Sequence, residues 1–228
     1  MIGYLLPLFS VLLGYAVAII LKPERRTRLK LLMAFSGSFL LSLTVMHLLP
    51  EVYHDDGHGH AHGPTGLFIM LGILLQIVLE FFSKGAEHGH VHGHPHMHNI
   101  PWLLFASLCL HAFLEGWPVS HHQHLALGIA IHHFPIAVIL TVFFLNAQLA
   151  KFQIFLFMLA FAFMTPLGTA ASSLVPEISH FHAQITAVVI GILFHISSTI
   201  IFETTENHKF NLAKLSMIGL GIVLAWMI

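Results

Sequence analysis

Predominantly apolar stretches of about twenty residues recur from one end of this chain to the other. A helix of about 20 residues spans the ~30 Å hydrocarbon core of a bilayer, so each stretch is long enough to cross a membrane. Of the 228 residues, 57% are apolar and only 8% are charged, whereas soluble domains carry roughly 25% charged residues. So few charges cannot provide a water-soluble surface. The sequence therefore predicts a polytopic membrane protein.

Hydropathy predicts an all-α fold with eight transmembrane helices in one domain, residues 1–228. None of the stretches alternates between polar and apolar residues as a lipid-facing barrel strand does. The first stretch is long enough to span the membrane, so we expect no cleavable signal there. The predicted spans are residues 2–21, 31–50, 65–83, 100–117, 124–145, 152–174, 183–202 and 211–228.

The distribution of basic residues predicts which side of the membrane each loop occupies. Eight of the nine Lys and Arg residues fall in odd-numbered loops between the predicted spans, and the ninth, Lys214, lies at the start of span 8 beside the seventh loop. The positive-inside rule then places these loops in the cytoplasm and both termini outside. The net charge is only −1, and no basic stripe is present, so we expect no nucleic-acid partner. The single cysteine, Cys109, excludes an internal disulfide framework and a cysteine-based zinc module.

Two histidine-rich stretches lie between predicted spans on opposite sides of the membrane. Residues 54–63 (HDDGHGHAHG) follow span 2 on the outer side. Residues 88–98 (HGHVHGHPHMH) belong to a cytoplasmic loop, residues 85–99, between spans 3 and 4. Closely spaced neutral imidazoles are weak, exchangeable metal ligands, and Gly and Pro keep such stretches irregular. We expect both stretches to capture metal ions; a solvated loop without a role is the alternative.

Ionisable side chains also occur inside the apolar spans. His111 and Glu115 are four residues apart and share one face of the span 4 helix, and His132 and His133 precede Pro135 in span 5. A charged carboxylate at bilayer depth costs about 2.5–3.5 kcal/mol on insertion scales, and a bound dication would offset that cost. Imidazoles with a carboxylate suit zinc or ferrous iron better than magnesium or calcium. We therefore expect a metal site; the alternative is a protonated, hydrogen-bonded Glu115 among buried neutral histidines.

The segments HAFLEG (111–116) and HHFP (132–135) resemble the paired signatures of the ZIP (Zrt/Irt-like) family of metal transporters. Eight spans, outward termini and a histidine-rich loop between spans 3 and 4 match that family along the whole chain. The segment MHLLPE (46–51) adds a weaker similarity. The resemblance implies a transporter in the cell inner membrane that carries a divalent transition metal into the cytoplasm. Zinc is the first expectation, with iron or manganese as alternatives, and the ion is a substrate and not a cofactor.

The resemblance also implies a difference in the number of metal ions bound. Family members with a two-metal centre use additional ligands at positions that here hold Ala112, His133, Ile136 and, if FMTPLG is the matching segment of span 6, Thr165. Glu115 is then the only anionic ligand. We therefore expect one ion, held by His111, Glu115 and His132, with His133 either a fourth ligand or a supporting group.

Other intramembrane polar residues have weaker assignments. His195 in span 7 either lines the inner half of an ion pathway or has no such role. Glu80 near the inner end of span 3 is most simply a solvated side chain. His47 and Glu51 at the outer end of span 2 are candidates for an entrance.

Two further functions remain open on sequence grounds. One is an intramembrane metal-dependent hydrolase, although the H-E-x-x-H helix signature of many such enzymes is absent. The other is a metal sensor or buffer, for which the histidine-rich loops alone would suffice. We expect a protein that is not an enzyme and whose partners are a divalent metal ion and the lipid bilayer. The sequence leaves open whether it forms a homodimer.

Overall fold

The structure, a computed structural model, describes residues 5–21, 26–54, 64–83, 101–120, 123–174, 181–203 and 212–228. These residues are helical except for short turns, so the all-α prediction is confirmed for this part of the chain. The helices are α1 (Leu6–Leu21), α2 (Arg26–Leu43), α3 (Leu49–His54), α4 (Thr65–Ser83), α5 (Trp102–Glu115), α6 (Gln123–Asn146), α7 (Lys151–Leu174), α8 (His182–Glu203) and α9 (Leu212–Trp226).

Each predicted span coincides with a helical segment of the described chain. The second span combines α2, a π-helical turn at Thr44–Leu48 and α3. Helices α1 and α9 are apolar but shorter, with 16 and 15 residues. Within the described residues, six helices are long and apolar enough to cross a membrane, as a membrane protein requires. They are Leu29–Tyr53, Thr65–Ser83, Trp102–Ser120, His124–Asn146, Lys151–Leu174 and His182–Phe202.

The helices pack in two groups. In the first group, α1 lies against α6 and α7, and α5 packs against α7. In the second group, α4 lies along α8, α9 lies along α2, and α2 also contacts α8. The groups meet where α2 contacts α6 and where α4 contacts α5. Helix α5 therefore belongs to the first group and also reaches the second.

Each group contains two helices whose backbones touch at a glycine. A Cβ atom on Gly168 of α7 would lie only 1.9 Å from the carbonyl oxygen of Phe113 in α5. A Cβ atom on Gly191 of α8 would lie 2.0 Å from the carbonyl oxygen of Ile69 in α4. No side chain fits at these distances, and small residues commonly allow membrane helices to approach this closely. Backbone contact with α7 thus fixes α5 just before Glu115.

Apolar side chains enclose the first group. The cluster includes Leu108 and Ala112 of α5, Ile136 of α6 and Phe161 of α7, all of them buried. Between membrane helices such side chains stabilise the bundle by van der Waals packing, because the lipid tails they leave are equally apolar. The few polar side chains of this group are therefore surrounded by an environment that cannot solvate a charge.

Candidate metal site

The last turn of α5 carries His111 and Glu115 on one face. Nε2 of His111 lies 3.2 Å from Oε1 of Glu115, as their four-residue spacing predicts. Glu115 is the last residue of α5, and Gly116 leads into a short 3₁₀ segment, Trp117–Ser120. His111 is 2% exposed and Glu115 is 0% exposed. A carboxylate and an imidazole therefore meet inside the bundle, away from bulk water.

Helix α7 holds the turn that follows Glu115. The hydroxyl of Thr169 donates a hydrogen bond of 2.8 Å to the carbonyl oxygen of Gly116. One turn further along, the hydroxyls of Ser120 and Ser172 lie 2.8 Å apart. Together with the close approach at Gly168, these bonds connect the end of α5 and the segment that follows it to α7. The Glu115 backbone is therefore held by a backbone contact before it and by hydroxyl hydrogen bonds after it.

Helix α6 supplies the two neighbouring histidines, His132 and His133, and it continues as one helix past Pro135. The hydroxyl of Ser10 in α1 donates a hydrogen bond to the carbonyl oxygen of Ala130. Ala130 lies one turn before Phe134, and the carbonyl oxygen of Phe134 closely approaches Gly14 of α1. Helix α1 thus supports the part of α6 where proline removes a backbone donor.

His111, Glu115 and His132 form the candidate metal site. Each offers one ligand atom, and these three atoms all lie within 4.8 Å of one another. His132 is also fully buried. Two ligand atoms on one tetrahedral zinc ion lie about 3.4 Å apart when each bond is about 2.1 Å long. No pair of these ligand atoms is therefore more than about 1.4 Å farther apart than in a tetrahedral zinc site.

His133 lies on the other side of the same carboxylate. Its Nε2 is 2.9 Å from Oε2 of Glu115, and its ring packs against Phe161 of α7 with the ring centroids 5.3 Å apart. The structure thus brings all four predicted site residues together around Glu115. His111 contacts one carboxylate oxygen, His133 contacts the other, and His132 faces the cluster from α6.

The residues at the positions that the resemblance assigns to a second metal ion are poor metal ligands. Ala112 and Ile136 are part of the buried apolar cluster, and neither side chain has a ligand atom. Thr165 is 1% exposed, and its neutral hydroxyl adds no charge. Within the described part of the chain, Glu115 is therefore the one carboxylate of the candidate site. Binding of a single ion remains a prediction.

A second contact between histidine and glutamate occurs in the other helix group, and the sequence reasoning did not predict it. Nε2 of His195 in α8 lies 2.6 Å from Oε2 of Glu80 in α4. These side chains are 20% and 24% exposed, so the pair is only partly enclosed. A signal was present, because an acidic residue inside an apolar span is costly without a partner.

The two polar regions are linked through α5. The hydroxyl of Ser107 donates a hydrogen bond of 2.6 Å to the carbonyl oxygen of Leu79 in α4. Ser107 is one helical turn before His111, and Leu79 is adjacent to Glu80. Polar atoms therefore continue from the candidate metal site towards the Glu80–His195 pair.

The remaining polar residues of interest lie elsewhere. His47, in the π-helical turn, is exposed, and its Nε2 lies 3.4 Å from the carbonyl oxygen of Ala225 in α9. Glu51 is also exposed. The structure therefore does not bring these two residues to the candidate metal site. The histidine-rich stretches, residues 54–63 except His54 at the end of α3 and residues 88–98, lie outside the described residues.

No protein-family model matches the chain, and no curated protein matches it. A functional assignment therefore depends on the geometry and chemistry of the site itself, together with the two short motifs that form it.

Proposed function

We propose that this protein is a membrane transporter that carries a divalent transition-metal ion, zinc foremost, through a site formed by His111, Glu115 and His132. One observation carries the proposal. Three ligand atoms from two neighbouring helices lie within 4.8 Å of one another, and all three side chains are buried among apolar helices. A structural role alone would not require two imidazoles around a carboxylate at this depth.

The ligand set favours zinc among the common divalent ions. Zinc accepts imidazole nitrogen and carboxylate oxygen in a four-coordinate arrangement, and sites with three protein ligands leave one position open for water. Magnesium and calcium prefer oxygen ligands in larger numbers. Iron(II) and manganese(II) remain alternative substrates because they share part of this ligand preference. One carboxylate also leaves a bound dication with a net charge of about +1, which keeps its release feasible.

The location of the site supports movement of the ion and not storage alone. His132 lies nine residues from the first residue of α6 and fourteen from the last, which corresponds to about 14 Å and about 21 Å at 1.5 Å per residue. A site placed inside a membrane-spanning helix is reached only by an ion that enters the membrane. On the proposed route, the ion continues past Ser107 towards the Glu80–His195 pair.

The proposed topology has eight spans, with α1 and α9 completing the set and both termini outside. In this arrangement the histidine-rich loop at residues 85–99 receives the ion in the cytoplasm of a bacterial-type cell, beneath the inner membrane. Inward transport and membership of the ZIP family are part of the proposal. They are supported by the motifs at residues 111–116 and 132–135, in spans that occur in the expected order.

Zinc flux into proteoliposomes tests the function directly. Purified full-length protein is reconstituted with a fluorescent zinc indicator inside the vesicles, and zinc is added outside under an inward gradient. We expect flux above that of protein-free vesicles and its loss in Glu115→Gln, which removes the charge but keeps the shape of the side chain. Wild-type flux equal to that of empty vesicles would refute the proposal.

The same experiment separates the alternative functions. A metal sensor or buffer binds zinc but does not move it across the bilayer. An intramembrane hydrolase requires a bound metal but likewise predicts no net flux. Zinc binding without flux would therefore favour one of these alternatives, and cleavage of a reporter substrate would then distinguish between them.

A further inference from the structure

His132 and His133 are neighbours in the sequence, yet they have different relations to Glu115. Consecutive residues on an α-helix point about 100° apart, so the two rings cannot face one point equally. His132 belongs to the cluster of three ligand atoms. His133 instead places its Nε2 2.9 Å from Oε2 of Glu115, the carboxylate oxygen that His111 does not contact. The two ring centroids are 5.9 Å apart.

The contact with Glu115 determines which nitrogen of His133 carries a hydrogen. With Glu115 ionised, as in a metal site, its oxygens only accept hydrogen bonds, so Nε2 of His133 is the N–H donor. A donor nitrogen has no lone pair with which to bind a metal. His133 would therefore have to give up its bond to Glu115 before Nε2 became a ligand.

The ring of His133 is also restrained from the side. It is 1% exposed and packs against the buried ring of Phe161, with the centroids 5.3 Å apart and the planes inclined by 48°. A ring that is packed on one side and hydrogen-bonded at its tip has little freedom to rotate. It holds Oε2 of Glu115 in place and leaves Oε1 directed towards His111.

We propose that His133 is a positioning residue that makes Glu115 a single-oxygen ligand and thereby gives the site its preference for zinc over manganese. This inference rests on the proposed function and concerns the choice of substrate. Two imidazole nitrogens and one carboxylate oxygen provide a nitrogen-rich site with few ligands, which suits zinc. A carboxylate free to bind through both oxygens adds an oxygen ligand, which suits manganese better.

A pair of matched substitutions distinguishes positioning from coordination. Glutamine retains an N–H donor at about the position of Nε2, but its amide is a poor zinc ligand. We expect His133→Gln to retain zinc affinity within about fivefold of wild type, whereas His132→Gln, which removes a ligand, loses more than about 100-fold. His133→Leu removes the donor, and we expect a loss of about 10- to 100-fold, as for other groups that orient metal ligands.

Two further measurements report effects that a purely structural role would not produce. The ratio of zinc affinity to manganese affinity should fall in His133→Leu and recover in His133→Gln. X-ray absorption at the zinc edge counts imidazole ligands, and this count should be unchanged in His133→Gln but reduced by one in His132→Gln. Size-exclusion profiles and thermal unfolding of each variant establish that it is folded.

The outcomes separate this inference from the transport proposal. Wild-type protein that binds zinc but does not transport it would refute transport and leave the role of His133 to be decided by the variants. Equal losses in His133→Gln and His132→Gln, or one fewer imidazole in His133→Gln, would show that His133 is a ligand. An unchanged ratio of zinc to manganese affinity in His133→Leu would show that it has no role in selectivity. If His133→Leu does not fold, the comparison of the two glutamine variants still decides between positioning and coordination.

Discussion

The molecule contains two contacts between histidine and glutamate, and their surroundings differ. Glu115 is 0% exposed and touches His111 on one oxygen and His133 on the other, with His132 close by. Glu80 contacts His195, and these two side chains are 24% and 20% exposed. The same two residue types thus form an enclosed cluster in one helix group and an open pair in the other.

The difference indicates how each region is suited to an ion. Enclosure and several ligands increase affinity, because charges interact more strongly away from water. An open pair interacts weakly, since solvent screens it and competes for the same groups. We therefore expect strong metal binding at the Glu115 site and brief, weak contact at Glu80–His195. The following predictions test that contrast.

The largest expected effect is at the centre of the enclosed site. Glu115→Gln should lower zinc affinity and flux by more than about 100-fold, because groups that merely orient metal ligands already contribute 10- to 100-fold. Zinc binding to the purified protein, measured by competition with a coloured chelator, and flux in proteoliposomes provide the readouts. Retention of wild-type affinity by a folded Glu115→Gln variant would show that the ion binds elsewhere.

The next effect concerns the backbone contact that supports the enclosed site. In Gly168→Ala, the new methyl group would overlap the carbonyl oxygen of Phe113, so α5 and α7 must separate. We expect a loss of about 1–3 kcal/mol in the free energy of unfolding, as for overpacked cores. We also expect at least about a tenfold loss in zinc affinity. Thermal unfolding and zinc titration measure the two effects.

Gly219→Ala in α9 is the matched control for this substitution. A Cβ atom at Gly219 meets no other atom within 4 Å, and alanine is the better helix former by about 1 kcal/mol. This variant should be at least as stable as wild type and should bind zinc normally. If Gly168→Ala behaved like Gly219→Ala, the contact between α5 and α7 would have no part in holding the site.

A smaller effect is expected at the open pair. Glu80→Gln and His195→Gln should each lower zinc flux by about 1.4- to fivefold, which corresponds to the 0.2–1 kcal/mol typical of exposed ion pairs. Zinc affinity at the Glu115 site should stay within about twofold of wild type. A loss of flux as complete as that of Glu115→Gln would show that the two regions contribute equally, and the contrast drawn above would be wrong.

The smallest effect is expected for the histidine-rich stretch at residues 88–98, which we propose faces the cytoplasm. Its ligands are redundant, so replacing residues 88–98 with glycine and serine should change zinc flux by less than about twofold. The half-saturating zinc concentration should shift modestly. Complete loss of flux would mean that this stretch takes part in transport itself and does not merely adjust it.

Much of the fold followed from the sequence because hydropathy alone dictates it. Each apolar run became a helix, since a buried backbone must satisfy its own hydrogen bonds. The four-residue spacing of His111 and Glu115 likewise placed both residues on one face. The sequence did not predict which residues of different helices would contact one another. The pairing of Glu80 with His195 depends on how closely α4 and α8 approach at Gly191, and span order does not reveal that approach.

The relation of His133 to Glu115 shows a second limit of sequence reasoning. The motif placed both histidines near Glu115, but spacing on α6 could not show which ring would face the ligand cluster. That outcome depends on the rotation of α6 about its axis, which the packing of α1 at Ser10 helps to fix. Contacts from a helix distant in sequence thus determine the roles of two adjacent residues.

The burial of the candidate site has a kinetic consequence. In the described conformation, His111, Glu115 and His132 are at most 2% exposed, so ions exchange with the site only when the surrounding helices move. The rate of zinc association should therefore level off at high zinc concentration, at a value set by the rate of opening. Dissociation requires the same opening and is slowed to the same extent, so the opening step changes both rates without changing the equilibrium dissociation constant.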